Sequence, residues 1–277
     1  MLELAPDCGL RFRLVLKGRI SATIKSMSFL SDSHMDLPAG KRKIWRYTSL
    51  AKFVRLIQQQ SLYFASASQL EDKFEGSLTT PSVERFINML TNDHPTLPLQ
   101  LAYQALSLSM RQIAVNCWHL SGNESYVMWS RYATKEDGGI AIQSTVERLS
   151  MSFPASQSHV WIGKIKYIDY KQDEIETFRD VKQWFLHKRK PFSSERELRA
   201  MIINLPAEGT SINVPPFPGK EIPCDLSALI QTIYIAPTGP PFMFELVCDL
   251  CKRFGLSAPV RPSELADAPS HFHDSNS

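Results

Sequence analysis

The sequence is short of the features that announce a function. No apolar run approaches the ~18 residues a membrane-spanning helix needs. There is no phosphate-binding glycine loop, no Gly-x-Ser-x-Gly elbow and no His-Glu-x-x-His, which disfavours P-loop NTPases, α/β-hydrolases and zincin proteases. No segment repeats. Cysteine is scarce and odd in number, with Cys8, Cys117, Cys224, Cys248 and Cys251 in 277 residues. That count, without a secretory leader, points to a reducing compartment and a cytoplasmic protein. Cys248-x-x-Cys251 is the one close pair and has no second Cys/His pair beside it, whereas a structural zinc needs four ligands. Both read as thiols of a helix, and no metal site is expected. His271 and His273 lie in a polar tail and are weak metal candidates for the same reason.

Excess positive charge is also missing from most of the chain. The formal net charge is +3, but residues 1–43 hold eight Lys/Arg against four Asp/Glu. The remainder is balanced to within one charge, without the basic stripe that a nucleic-acid binder carries on its folded part, so nucleic acid is not favoured as a partner. Residues 9–31 carry five basic side chains and no acidic one, a composition like that of a transit peptide. Glu3 and Asp7 count against that. The arm 1–43 is expected to be disordered, or to reflect a start assigned too early, with translation from Met27 or Met35. Residues 264–277 have the composition of a disordered tail.

What is present is an ordinary globular composition, 43% hydrophobic and 21% charged. Residues 44–263 are expected to form a single α+β domain with a mixed, largely antiparallel sheet flanked by helices. Ile44 to Tyr47 reads as a strand. Thr48 or Ser49 caps a helix whose apolar face is Leu50, Phe53, Val54 and Ile57. Leu62 to Ser66 is a second strand, and Asp72-Lys73-Phe74-Glu75-Gly76 is a structured turn. Two helices are expected over 81–112 around a break at Asn92-Asp93-His94-Pro95. Ile113 to Cys117 is a strand, and Ser121-x-x-Glu124 has the spacing of a capping box opening a helix through Tyr132. Strands follow at Ile140 to Ile142 and over 160–170, where Trp161, Ile165 and Tyr167 alternate with Lys164 and Lys166. A helix is expected over 176–189, a strand over 198–205, a Pro/Gly-rich loop from Pro206 to Pro223, a strand from Ile230 to Ala236 and a helix from Phe242 to Phe254.

The chain is organised around Pro191-Phe192-Ser193-Ser194-Glu195-Arg196-Glu197-Leu198-Arg199. Two carboxylates and two guanidiniums run directly into Ala200-Met201-Ile202-Ile203, an apolar strand. Charges set against a core element need partners, because their desolvation is costly. Extended backbone would put Glu195, Glu197 and Arg199 on one face. A helix would still make Glu195 and Arg199 neighbours. Two readings stand side by side: a salt bridge at the mouth of a strand, or a catalytic carboxylate held by arginine. The basic run His187-Lys188-Arg189-Lys190 reads as a solvated face or a phosphate contact. Cys117 and His119 lack a third orienting group, which argues against a cysteine nucleophile.

Taken in order, Trp45-Arg46-Tyr47, Leu62-Tyr63-Phe64-Ala65-Ser66, Asp72-x-Phe74-Glu75-Gly76, Cys117-Trp118, Met128-Trp129-x-x-Tyr132, Gly139-Ile140-Ala141-Ile142 and Glu195-x-Glu197-x-Arg199 form a series. It resembles a widespread bacterial family built on a domain of unknown function. Members of that family read roughly Tyr-x-Tyr, Leu-x-Phe-Ser, Asn-Asp-Pro-Phe-Glu, Cys-Phe-Ser, Met-Trp-x-x-Tyr and Glu-x-Glu-x-Arg. This chain departs from it at Glu71-Asp72-Lys73-Phe74-Glu75 and at Cys117-Trp118-His119. The resemblance spans about residues 44–263 and implies a bacterial protein, but it supplies no activity. A looser similarity is to ADP-ribosyltransferases, through an early-strand arginine, a Ser/aromatic strand and a late glutamate. That similarity implies NAD as substrate, with Arg46 on phosphate, Tyr47 or Tyr63 stacking on nicotinamide, Ser66 orienting and Glu195 or Glu197 as the catalytic carboxylate.

The expected site therefore comprises Glu195 and Glu197 as catalytic groups, with Arg46, Tyr47, Tyr63, Ser66, Asp72, Glu75, Trp129 and Arg199 around a small nucleotide-type ligand. The leading expectation is an NAD-consuming transferase. A non-catalytic module that recognises a phosphorylated or acidic ligand is the alternative. A metal-dependent nuclease using Asp72, Glu75, Glu195 and Glu197 is the second alternative.

Overall fold

In the computed structural model of the chain the described residues are 2–3, 11–15, 19–23, 36–93, 100, 112–132, 138–154, 160–176, 180–203 and 218–267. The expected break at His94 and Pro95, most of the Pro/Gly-rich loop, and His271 and His273 lie outside them. The strands in chain order are β1 (Leu2–Glu3), β2 (Arg11–Val15), β3 (Arg19–Thr23), β4 (Lys43–Thr48), β5 (Ser61–Ser66), β6 (Ile113–Leu120) and β7 (Ile140–Thr145). They continue with β8 (Trp161–Lys164), β9 (Lys166–Ile168), β10 (His187–Arg189), β11 (Glu197–Ile203), β12 (Gly219–Pro223), β13 (Thr232–Ile235) and β14 (Val260–Pro262). The helices are α1 (Leu50–Gln59), α2 (Thr80–Asp93), α3 (Tyr126–Tyr132), α4 (Val146–Met151), α5 (Val181–Trp184), α6 (Leu226–Leu229) and α7 (Met243–Arg253). The class is α+β, and the strand pairing is mixed but mostly antiparallel. The chain divides into two compact units, each assembled from separated segments.

The first unit takes Met1–Leu37, Tyr63–Asn116 and Ala155–Glu221. In the N-terminal arm β1, β2 and β3 pair antiparallel. β11 pairs antiparallel with β8, Leu198 opposite Lys164 and Met201 opposite Trp161. β9 and β10 pair in parallel, with Lys188 opposite Tyr167. β11 is buried from Glu197 to Ile202, so Glu197 and Arg199 share one face of a strand that is covered on both sides. The alternation expected over 160–170 divides at Ile165, whose N–H goes to the Glu197 carbonyl while that of Lys166 goes to Leu186.

The helix expected over 176–189 is reduced to α5, capped by Asp180. His187 to Arg189 are strand instead, because their backbone completes the parallel pairing with β9. The turn at residues 72–76 forms as expected. Asp72 accepts from the backbone N–H of Phe74 through its side chain and of Glu75 through its carbonyl. Gly76 closes the turn at φ +77°, with the Phe185 ring against its Cα. A Cβ there would lie 2.3 Å from the ring, so glycine is required twice over.

The second unit takes Pro38–Leu62, Cys117–Pro154 and Ile222–Ser277. β7 lies between β4 and β13, antiparallel to both, and β14 joins β13 in parallel. Beyond β4, Ile44 faces Leu120 and Trp45 faces His119 of β6. Ser49 caps α1 as expected, and Phe53, Leu56 and Ile57 form its buried stripe. Gln60, left-handed at φ 47°, ends that helix. Helix α3 opens at Ser125, whose hydroxyl accepts from Met128 N–H, and not at the expected Ser121–Glu124 box. Glu124 is instead taken by Trp129 Nε1, Ser263 Oγ and the Glu264 N–H.

Candidate functional site

Five charged side chains of the first unit form one connected cluster. Arg199 is fully buried and donates Nε to Glu197 Oε1 at 2.6 Å, Nη2 to Glu75 Oε2 at 2.6 Å and Nη1 to the Phe185 carbonyl at 2.9 Å. Lys188 Nζ lies 3.0 Å from Glu75 Oε1, 2.6 Å from Glu195 Oε2 and 3.5 Å from Glu197 Oε2. Glu75 and Glu197 thus each bridge the same two cations, and the four side chains close a ring of alternating charge. Glu195 adds a third carboxylate to Lys188. Two glutamates and two cations make up the ring, and Glu195 lies outside it.

Local structure explains the ring. Strand alternation starts only at Glu197, because Lys190–Glu195 is a 3₁₀ turn and Arg196 takes a left-handed φ of 42°. Glu195 consequently bonds Lys188, while Arg199 takes Glu197 and Glu75. The backbone of Glu197 is pinned at both ends: its N–H goes to Tyr167 Oη at 2.9 Å, and its carbonyl accepts from Ile165. Tyr170 donates its hydroxyl to the His187 carbonyl, and the His187 ring meets the Gln183 carbonyl through Nδ1.

Burial opposes the charge on Lys188, but Glu197, Glu75 and the hydrogen bond it donates to Glu195 outweigh it and hold its pKa above the usual lysine range. Burial pushes the Tyr167 phenol up to about 12 and that of Tyr170 higher still, and it lowers the His187 imidazole. Among the described residues no buried side-chain nitrogen or oxygen lacks a partner, which is the condition for tolerating this much buried charge.

Beside the ring stands Arg189. It forks onto Asp72, Nε to Oδ2 at 3.0 Å and Nη2 to Oδ1 at 2.7 Å. Its guanidinium carbon lies 4.5 Å from the Phe74 ring centre and 5.4 Å from that of Phe192. Asp72 is buried, yet 39% of the Arg189 side chain is exposed, as is 45% of Phe74. This corner holds a partly exposed side chain whose cation is oriented by a buried carboxylate.

Of the residues expected from sequence, Asp72, Glu75, Glu195, Glu197 and Arg199 come together here. Tyr63 and Ser66 belong to the same unit but bond elsewhere, Tyr63 to the distant Pro218 carbonyl and Ser66 to its neighbour Ser68. Arg46, Tyr47 and Trp129 belong to the second unit. Arg46 gives Nη1 to the Cys117 carbonyl, and burial lowers its pKa. Tyr47 accepts from the Ser125 N–H, and its ring meets Trp129 edge-on at 4.9 Å within a cluster that includes Trp45 and Tyr234. Among the described residues no three His, Cys, Asp or Glu side chains are placed to hold a metal ion, and the acids the nuclease reading needs each face a cation.

Lys188 and Arg189 stand outside the site residues expected from sequence. Their run reads as a solvated face or a phosphate contact, yet Lys188 is buried. A signal was available: Asp72, Glu75, Glu195 and Glu197 outnumber Arg199, and four acids near one core strand demand further cations. No family model matches the chain, nor does any curated protein or solved structure.

Proposed function

We propose that the first unit recognises a small anionic, nucleotide-type ligand carrying phosphate or carboxylate groups, with Arg189 as the contact. The observation that supports this is the partly exposed side chain of Arg189, oriented by Asp72 and set over the rings of Phe74 and Phe192. Such pre-orientation lowers the entropic cost of binding an anion. The exposed Phe74 ring offers a surface for an aromatic base. The setting is the cytoplasm expected from the odd cysteine count. No helix among the described residues is long and apolar enough to cross a membrane.

Calorimetric titration with ADP-ribose, NAD and inorganic pyrophosphate tests the assignment. Arg189→Lys keeps a cation near Asp72 but loses the fork and the stacking. It is expected to weaken binding at least ~10-fold, and added salt should weaken wild-type binding progressively. Unchanged affinity in folded Arg189→Lys protein would reject Arg189 as the contact.

A second reading keeps NAD as a substrate that is consumed. It is favoured by the position of Glu195, whose side chain is 14% exposed against 5% for Glu197 and 3% for Glu75. Of the two candidate catalytic carboxylates, Glu195 is therefore the one that a ribose can approach. Nicotinamide release by wild type and its loss in Glu195→Gln would support transfer chemistry; no release by wild type leaves the binding reading.

A further inference from the structure

We propose that Glu195 is a built-in anion that holds a subsite on Lys188 until an anionic group of a ligand displaces it, releasing the segment that carries it. This rests on the reading of the Arg189 corner as an anion site and assigns that site a regulation. Three observations point to it.

The first is charge. Lys188, Arg199, Glu75 and Glu197 balance one another, as do Arg189 and Asp72. Glu195 lies outside that ring, held by Lys188 at 2.6 Å. One negative charge of a ligand could replace it without disturbing the ring beneath.

The second is origin. Glu75 and Glu197 come from a turn locked against Phe185 and from a strand buried on both faces. Glu195 comes from the short 3₁₀ turn Lys190–Glu195, in which Lys190, Pro191, Ser193 and Ser194 are exposed. Phe192 and Glu195 are its two partly buried residues. The turn ends at Arg196, in a left-handed conformation disfavoured for a residue with a side chain.

The third is coverage. The Phe192 ring centre lies 5.0 Å from Lys188 Nζ and 5.4 Å from the Arg189 guanidinium carbon. With Glu195 it covers both cations from one short segment. Moving residues 190–196 would uncover the side of Lys188 and of Arg189 that Phe192 now covers.

Inorganic pyrophosphate is the probe, titrated into wild type, Glu195→Gln and Arg189→Lys. Glu195→Gln keeps the shape and removes the competing charge, so its affinity should rise about 10-fold, in line with losing one charge-assisted hydrogen bond. Equal or weaker affinity in folded Glu195→Gln, while Arg189→Lys still weakens wild-type binding, overturns the displacement and leaves the Arg189 reading standing. Binding that Arg189→Lys does not change, or no binding by any of the three, overturns both. Limited chymotrypsin cleavage after Phe192 in wild type gives an independent readout, and decides the matter if Glu195→Gln does not fold. Pyrophosphate should accelerate that cleavage, and protection or no change would show that the segment is not released.

Discussion

Arg199 makes the cost of the cluster plain at the level of single residues. It is fully buried, and it bonds Glu197 of its own strand together with the Glu75 carboxylate and the Phe185 carbonyl, which distant segments supply. A lysine at this position carries the charge but not the planar fork that meets all three acceptors. Arg199→Lys is therefore expected to leave one glutamate or the Phe185 carbonyl unpaired in the interior. Breaking a buried pair in this way costs about 3–5 kcal/mol. Urea denaturation would measure it, and a loss below about 1 kcal/mol would mean that Glu75 and Glu197 find other partners. The result bears on function as well. If the ring is chiefly structural, the ligand-facing chemistry belongs to Arg189 and Glu195, which border it.

Among elements, the turn at 72–76 matters most, because it delivers both Asp72 and Glu75. It can do so because Gly76 adopts φ +77° against the Phe185 ring, and Phe185 in turn offers its carbonyl to Arg199. Gly76→Ala brings backbone strain of about 1–3 kcal/mol and a clash with a fully buried ring. A clear fall in melting temperature is expected, and an unchanged one would show that the turn can shift off Phe185. The turn was legible in sequence, as were β4, the Ser49 cap of α1 and the core strand β11, because each is written in local spacing and periodicity. β10 was not. His187-Lys188-Arg189 has the composition of a solvated face, and nothing nearby in sequence says that it is buried. Its partners are distant: Asp72, the partner of Arg189, lies 117 residues away, and Glu75, which meets Lys188, comes from the same turn. The misplaced end of the helix expected over 176–189 has a nearer cause, since parallel pairing with β9 overrides local helical preference there. The side-chain bonds of Tyr63 and Ser66 go elsewhere, Tyr63 to Pro218, 155 residues away in sequence, and Ser66 to its neighbour Ser68.

For the whole molecule, these buried groups set a limit on the alkaline side. Burial raises the pKa of Tyr47, Tyr167, Tyr170 and Tyr234, and the surrounding glutamates raise that of Lys188. A group whose pKa is higher in the folded state than in the unfolded chain binds its proton more tightly when folded. Its contribution is complete below the unfolded value and is lost as pH rises through the folded one. For a phenol the unfolded value is 10.0, and for Tyr167 the folded one is about 12; Lys188 moves in the same sense from 10.5. The melting temperature should therefore hold over roughly pH 7 to 9 and fall steeply above about 10. Tyr167→Phe isolates one contributor. It removes the hydroxyl that accepts from the Glu197 N–H, so the variant should melt lower at neutral pH. It also removes a titrating group, so its decline above pH 10 should be shallower than that of wild type. Parallel declines in the two proteins would show that Tyr167 does not ionise in this window. A wild-type melting temperature that holds to pH 12 would mean that the buried phenols and Lys188 are not coupled to folding at all.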